Sequence, residues 1–293
     1  MATSTLKSVF HDPDYYTKAF KSYSAVSDKT GVFSRWGDVF EEAVAPQINA
    51  KLSKHEELRV LGIGSGTGEL DLQMLTKLLP RFPLIHNRVV EPAEDAMDKY
   101  QALVQSRAQE LQGVRWDWRQ QTIDQYTEEA RGGDSTKFHF VHACQCLYYA
   151  ADLESSLTYL YNCVEPGGVM VVSLITETSG MYRLWHHFPS FQDALMKYVS
   201  SSDIRGYLTR RGIPYTEHHQ SSRVDVTDCF DEASEAGGHV LDIMTHVVKL
   251  RETASAELLA EVMQSMAGCS EKSGNRFFIT NNWDAAVVNK PVE

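Results

Sequence analysis

The sequence predicts an α/β fold built on a doubly wound, mostly parallel sheet. Three observations lead there. From about residue 58 to 175, short apolar runs alternate with helical stretches, the order that buries a parallel sheet under helices. The first apolar run empties into alternating glycines, and the second ends in a glutamate followed by proline.

Taken in order, Leu58–Ile63 is a strand ending in glycine, Glu69–Leu79 a helix, Arg88–Glu91 a second strand and Ala93–Gln109 a long helix. Val114–Trp118 and Phe138–Cys144 are further strands, with Trp116 and Trp118 alternating onto one packed face. Leu153–Cys163 is helical, Glu165-Pro166-Gly167-Gly168 turns the chain, and Val169–Ile175 is a strongly apolar strand. The flanks are less regular. Residues 1–55 read as helical and aromatic-rich, with Tyr16, Phe20 and Tyr23 spaced for one helix face. Beyond Gly180, helices are expected at Ser201–Arg211 and Leu258–Met266, and strands at Val224–Phe230, Phe277–Ile279 and Ala286–Val288. Helical elements between Gly180 and Gly268 are expected to cap the carboxyl edge of the sheet. The organisation predicted is one domain over 1–293: a helical cap segment at 1–55, a cofactor-binding core at 56–178, and the remaining core strands with inserted cap elements at 179–293.

Composition narrows the function. The formal net charge of -11 argues against a nucleic-acid partner, which calls for a basic footprint, and suits a small cationic ligand. No apolar run nears the roughly 18 residues that would cross a membrane, and the first residues have no apolar core of the signal-peptide kind, so a cytoplasmic protein is expected. The five cysteines are scattered and odd in number; they read as reduced thiols, with Cys144 and Cys146 on one side of a strand. The adjacent pairs His186-His187 and His218-His219 fit neither a helical i, i+4 metal site nor a strand face, and no metal is expected.

The strongest chemical signal is Gly64-Ser65-Gly66-Thr67-Gly68 between a strand and a helix. Glycine permits positive φ and lets a ligand lie against bare backbone, and in open α/β sheets this turn receives a nucleotide. Glu91, at the end of the next strand, is placed to accept hydrogen bonds from both hydroxyls of a ribose. NAD and S-adenosylmethionine both carry that ribose. The GxGxG form, together with Pro166-Gly167-Gly168, resembles class I methyltransferases and points to S-adenosylmethionine.

Over nearly its full length the chain resembles the histamine N-methyltransferase family. The resemblance rests on Gly64–Leu75 (GSGTGELDLQML), Val89–Pro92 (VVEP), Gln145–Tyr149 (QCLYY), Ser179–Trp185 (SGMYRLW), Asp228–Phe230 (DCF) and Asn281-Asn282. It implies a monomeric cytosolic enzyme with a Rossmann-like, class I S-adenosylmethionine-dependent fold and a helical substrate-binding cap, methylating an imidazole nitrogen. It further implies that Gly64, Ser65, Gly66, Gly68 and Glu91 hold the cofactor, with Thr122 and Ile123 near its adenine and Cys144 supplying backbone. Gln145 and Asn282 would hydrogen-bond the acceptor, and Phe20, Tyr148, Tyr149 and Trp185 would wall it. Three positions depart from the family: Lys29 stands where it carries an acidic substrate-binding residue, Ala96 replaces a glutamine at the cofactor, and Ile243 replaces a pocket aromatic. Asp28, beside Lys29, is the candidate to meet a substrate ammonium.

The residues suit that chemistry. Methyl transfer from a sulfonium needs a neutral lone pair about 3 Å from the methyl carbon, and imidazole, with a pKa near ~6.5, is mostly neutral at pH 7. No catalytic base is then required. Gln145 and Asn282 act by positioning, because an amide carbonyl that accepts from one ring N–H leaves the other nitrogen bare. The competing readings are a different small amine or a histidine-containing dipeptide as acceptor, a non-catalytic S-adenosylmethionine-binding protein, and a nicotinamide-dependent oxidoreductase.

Overall fold

The computed structural model describes residues 6–48, 56–131, 133 and 135–292; the ends of the predicted 1–55 segment, at 1–5 and 49–55, lie outside the described residues. The strands are β1 (Leu58–Ile63), β2 (Ile85–Val90), β3 (Val114–Arg119), β4 (Phe138–Cys144) and β5 (Val164–Ile175). They continue with β6 (Thr216–Gln220), β7 (Arg223–Asp225), β8 (Ser270–Ser273), β9 (Arg276–Thr280) and β10 (Trp283–Asn289). The helices are α1 (Pro13–Val26), α2 (Lys29–Val39), α3 (Glu69–Leu78), α4 (Glu94–Ser106), α5 (Ile123–Arg131) and α6 (Leu153–Cys163). After them come α7 (Gly180–His187), α8 (Ser201–Arg210), α9 (Glu235–Thr245), α10 (Leu250–Thr253) and α11 (Ala256–Cys269).

The chain divides into two compact units. The sheet unit comprises Phe33–Leu174, Ser201–His219 and Asp284–Glu293; the second comprises Met1–Val32, Ile175–Ser200 and Gln220–Trp283.

In the sheet unit seven strands run in the order β3-β2-β1-β4-β5-β10-β6. β1 pairs in parallel with both β2 and β4, β2 with β3, and β4 with β5. The order reverses between β1 and β4, the point at which open α/β sheets bind ligands. The predicted fold class is therefore the observed one. β1, β2 and β4 are buried along almost their whole length, as strands covered on both faces must be. Trp116 and Trp118 do share a face: their rings stack with centroids 5.1 Å apart, and Tyr100 meets both edge-on.

The second unit holds the three-stranded antiparallel sheet β7-β9-β8 and α1 packed on α9. Tyr15 of α1 donates a hydrogen bond to Asp242 of α9, whose carboxylate also accepts from the Lys249 and Leu250 amides.

Several expectations change. Glu165-Pro166-Gly167-Gly168 is not a separate turn but lies within β5, which begins at Val164. Val224–Phe230 is not one strand: Asp225 Oδ1 accepts from the Thr227 amide at 3.0 Å, ending β7, and Thr227–Phe230 coils into a 3₁₀ turn. β6 and β8 were not anticipated, because TEHHQ and SEKS lack the apolar alternation that marks a half-buried strand. Cys144 and Cys146 do not share a strand face, since β4 ends at Cys144 and Gln145 turns the chain with φ 55°.

At the sheet's edge Arg88 of β2 faces Asp117 of β3, its Nε donating to Oδ2 at 2.7 Å, while Arg119 Nε donates to Oδ1 at 2.8 Å. Burial pushes the Asp117 carboxyl up, but Arg119 and Arg88 outweigh it and hold it below its ordinary value. A depressed carboxylate adds stability above its unfolded pKa near ~3.9, and that stability is lost as pH falls through the lower folded value. Asp117→Asn is expected to cost about 2 kcal/mol at pH 7, measured by urea unfolding, with the deficit shrinking as the pH is taken below about 4. A deficit that persists unchanged in acid would show that the charge is not its source.

Candidate active site

The turn after β1 is shaped by three left-handed glycines, Gly64 (φ 61°), Gly66 (φ 55°) and Gly68 (φ 83°). Two are close approaches. A Cβ on Gly64 would lie 2.3 Å from Cys146 Cβ, and one on Gly68 would lie 2.0 Å from the Tyr100 ring. Gly66 differs, because a Cβ there would meet nothing within 4 Å. Its amide donates to Glu91 Oε2 at 2.8 Å, and the Ala93 amide donates to Oε1 at 3.0 Å. Glu91 is thus fixed beside the turn. Each of its oxygens accepts one backbone N–H, and a carboxylate offers about four acceptor sites in all, enough left for a diol. Burial pushes its carboxyl up, although both backbone hydrogen bonds oppose the shift. Bare backbone facing open space, with a carboxylate alongside, fits the nucleoside end of S-adenosylmethionine.

The other cofactor candidates of this unit fall around the same edge. Thr122 precedes α5, its Oγ1 accepting from the Gln125 amide and its own amide donating to Gln125 Oε1. Ile123 opens α5 and is buried. Cys144 ends β4, where burial pushes its thiol up to about 12. The Cys146 thiol donates to the Ile63 carbonyl at 3.1 Å, fastening the segment after β4 to the end of β1.

Gln145 takes a left-handed conformation, uncommon for a residue with a side chain and concentrated at functional turns. Its amide donates to the Ser173 carbonyl at 2.9 Å, its Nε2 donates to Ser173 Oγ at 3.3 Å, and its Oε1 accepts from the Tyr148 hydroxyl at 2.8 Å. Tyr148 and Tyr149 lie in the 3₁₀ turn Leu147–Tyr149, the first 6% and the second 47% exposed.

In the second unit Ser222 joins two predicted acceptor residues. Its amide donates to Asn282 Oδ1 at 2.9 Å and its hydroxyl to Asp28 Oδ1 at 2.7 Å. Asn281 donates through Nδ2 to the Tyr23 hydroxyl at 3.0 Å. Neither Ser222 nor Asn281 was singled out from sequence for this position; the only hint was the doubled asparagine. Phe20 belongs to a run of rings: Tyr16 stacks on it at 5.5 Å, Tyr23 follows at 5.7 Å, and Lys29 Nζ stands 5.8 Å from its centroid. Trp185 lies at the other end of that run, which passes through His246 and Phe10 to Tyr16. It is 5% exposed and donates to the Met244 carbonyl.

Comparison with known proteins identifies the family. A family model described as a methyltransferase domain matches residues 32–218. Carnosine N-methyltransferase 2 of Gallus gallus is 32% identical over 93% of the chain and 86% of its own length. Histamine N-methyltransferase of Mus musculus is 29% identical over 97% and 98%. Among solved structures, a putative methyltransferase of Bacillus halodurans superposes with a TM-score of 0.52 at 13% identity, covering 85% of this chain and 99% of that one; at that identity the likeness speaks for the fold.

If Glu91 grips the ribose, Glu91→Ala should weaken binding of S-adenosylhomocysteine at least about tenfold, the loss of one charge-assisted contact, as read by calorimetry. Affinity of the unaltered protein should also fall as acid protonates this raised carboxyl, and an unchanged Kd in the variant would remove Glu91 from the site. The chain belongs to the methyltransferase domain family, with histamine and carnosine N-methyltransferases among its relatives, and S-adenosylmethionine is the cofactor that this membership carries.

Proposed function

We propose that the chain is an N-methyltransferase for a small imidazole amine, histamine or a close analogue. Gln145 and Asn282 are proposed to position the acceptor, and Phe20, Tyr148, Tyr149 and Trp185 to wall it. Bound S-adenosylmethionine supplies an electrophilic methyl group on a sulfonium. The observation that carries the reading is Gln145. An uncharged amide is held in a left-handed turn at the carboxyl end of β4, its carbonyl oriented by Tyr148 and its amino group by Ser173. Such a carbonyl retains a lone pair for a ring N–H. Accepting that proton fixes the tautomer and leaves the other ring nitrogen free to attack. A neutral amide also leaves the imidazole neutral, whereas a carboxylate at hydrogen-bonding distance would favour its protonated, unreactive form. Asn282 has the same chemistry, with its Oδ1 oriented by the Ser222 amide. Orientation of this kind supplies up to about 7–11 kcal/mol of a barrier.

Incubating the protein with S-adenosylmethionine and a panel of histamine, histidine dipeptides and non-imidazole amines, with product masses read out, tests the proposal. A mass gain of one methyl group on imidazole compounds is expected. Binding of S-adenosylhomocysteine without turnover on any of them would instead favour a non-catalytic binding protein.

Lys29 favours a second reading of the acceptor. One oxygen of Asp28 already accepts from Ser222 and from the Arg223 amide, while the Lys29 ammonium stands over Phe20. A cation on this aromatic face suits an acceptor that carries a carboxylate, as a histidine-containing dipeptide does, and a carnosine N-methyltransferase is among the relatives. On this reading Lys29→Glu raises the KM for the dipeptide up to about fivefold, the loss of one partly exposed ion pair of about 1 kcal/mol, and lowers the KM for histamine. Equal effects on both acceptors would exclude it.

A further inference from the structure

The cofactor turn sits over buried polar groups that the proposed reaction does not use. Asp71 of α3 and His142 of β4 are 3% and 1% exposed, with His142 Nδ1 3.8 Å from Asp71 Oδ1. The Tyr100 hydroxyl donates to Asp71 Oδ2 at 3.3 Å. Burial pushes the Asp71 carboxyl up and the His142 imidazole down, each partly offset by the other. His142 is the sheet partner of Gly62 on the neighbouring strand, and the missing side chain at Gly62 is what gives the imidazole room. A Cβ there would lie 2.8 Å from His142 Cε1 and 2.9 Å from Nε2.

The same point lies 2.8 Å from Ser65 Oγ. Ser65 is part of the glycine turn, yet its hydroxyl oxygen is buried and turned inward beside the Asp71 carboxyl. The Ser65 hydroxyl approaches the Asp71 carboxyl and opposes the upward push of burial on it, while among the described residues His142 Nε2 completes no hydrogen bond. Two buried polar atoms facing one small space are costly unless they meet each other or a shared water.

We propose that Ser65, Asp71 and His142 form a buried positioning set for the cofactor turn. The Ser65 hydroxyl ties the Gly64–Gly66 backbone down to the His142–Asp71 pair, and so keeps the Gly66 amide in line with Glu91. The Ser65 hydroxyl then serves the cofactor from beneath, leaving the backbone of the turn to face it. The proposal rests on the cofactor assignment and is independent of the acceptor.

Calorimetry of S-adenosylhomocysteine with the full chain tests it, using Ser65→Ala, Ser65→Thr, His142→Asn and the Ser65→Ala/His142→Asn double variant. Ser65→Ala and His142→Asn are each expected to weaken binding three- to tenfold, with Ser65→Thr restoring most of the loss by returning a hydroxyl. The double variant should bind no more weakly than the poorer single one, because both remove the same link. A change in melting temperature alone, with Kd within twofold of the unaltered protein, overturns the proposal. So does a double variant whose losses multiply, or a threonine no better than alanine. If His142→Asn does not fold, the two Ser65 variants still decide. Absence of binding by the unaltered protein would strike the cofactor assignment itself.

Discussion

The hydrogen bond from the Gly66 amide to the Glu91 carboxylate fixes the geometry on which the sheet unit's chemistry depends. It joins the first two strand ends, and it exists because β1 and β2 pair in parallel with Ile63 opposite Val90. That register sets the residue after β2 level with the turn after β1. A shift of one residue would turn Glu91 to the opposite face and leave the glycines without their carboxylate. The Gly64 amide, donating to the Val90 carbonyl at 2.8 Å, extends the same register one step beyond the ladder. The binding edge is therefore a consequence of strand pairing, and the buried runs of β1, β2 and β4 that enforce the pairing contribute indirectly to the site.

The turn is also crowded from below. Cys146 closes on Gly64 and Tyr100 on Gly68, so neither glycine can accept a side chain, while the space at Gly66 stays open. Two glycines thus serve packing and one serves access. The distinction follows from neighbours remote in sequence: Tyr100 belongs to α4 and Cys146 to the segment after β4.

Sequence reasoning succeeded where a local rule has one structural outcome. Leu58–Ile63 and Phe138–Cys144 are apolar runs bounded by turn residues, and both are strands with the expected limits. The glycine turn and Glu91 were legible because positive φ and a strand-end carboxylate are properties of single positions. It failed where partners lie far apart or where a side chain competes locally with the ladder. The strand β6 reads as polar, TEHHQ, and exists because β10 offers it an edge. The bridge from Asp28 through Ser222 to Asn282 spans some 194 residues at one link and 60 at the other, and no periodicity can reveal it. The run predicted as a strand at Val224–Phe230 is interrupted by an Asp225–Thr227 side-chain cap, which competes locally with the ladder.

The pair Tyr148 and Tyr149 shows how one backbone angle reassigns two side chains. As a strand the segment would send them to opposite faces and leave their order undecided. Gln145 instead enters the left-handed region, and the chain coils into the 3₁₀ turn that follows. Three residues then complete one turn, so Tyr148 returns over Gln145 and its hydroxyl donates to the Gln145 carbonyl, while Tyr149 points outward. The spacing of glutamine and first tyrosine is thus a hydrogen-bonding distance written in sequence. It orients the amide before any ligand arrives, and an amide oriented in advance costs no rotamer entropy when an acceptor binds. The unfavourable backbone at Gln145 is what places the Tyr148 hydroxyl within reach, so strain in the main chain and order in the side chain are one arrangement.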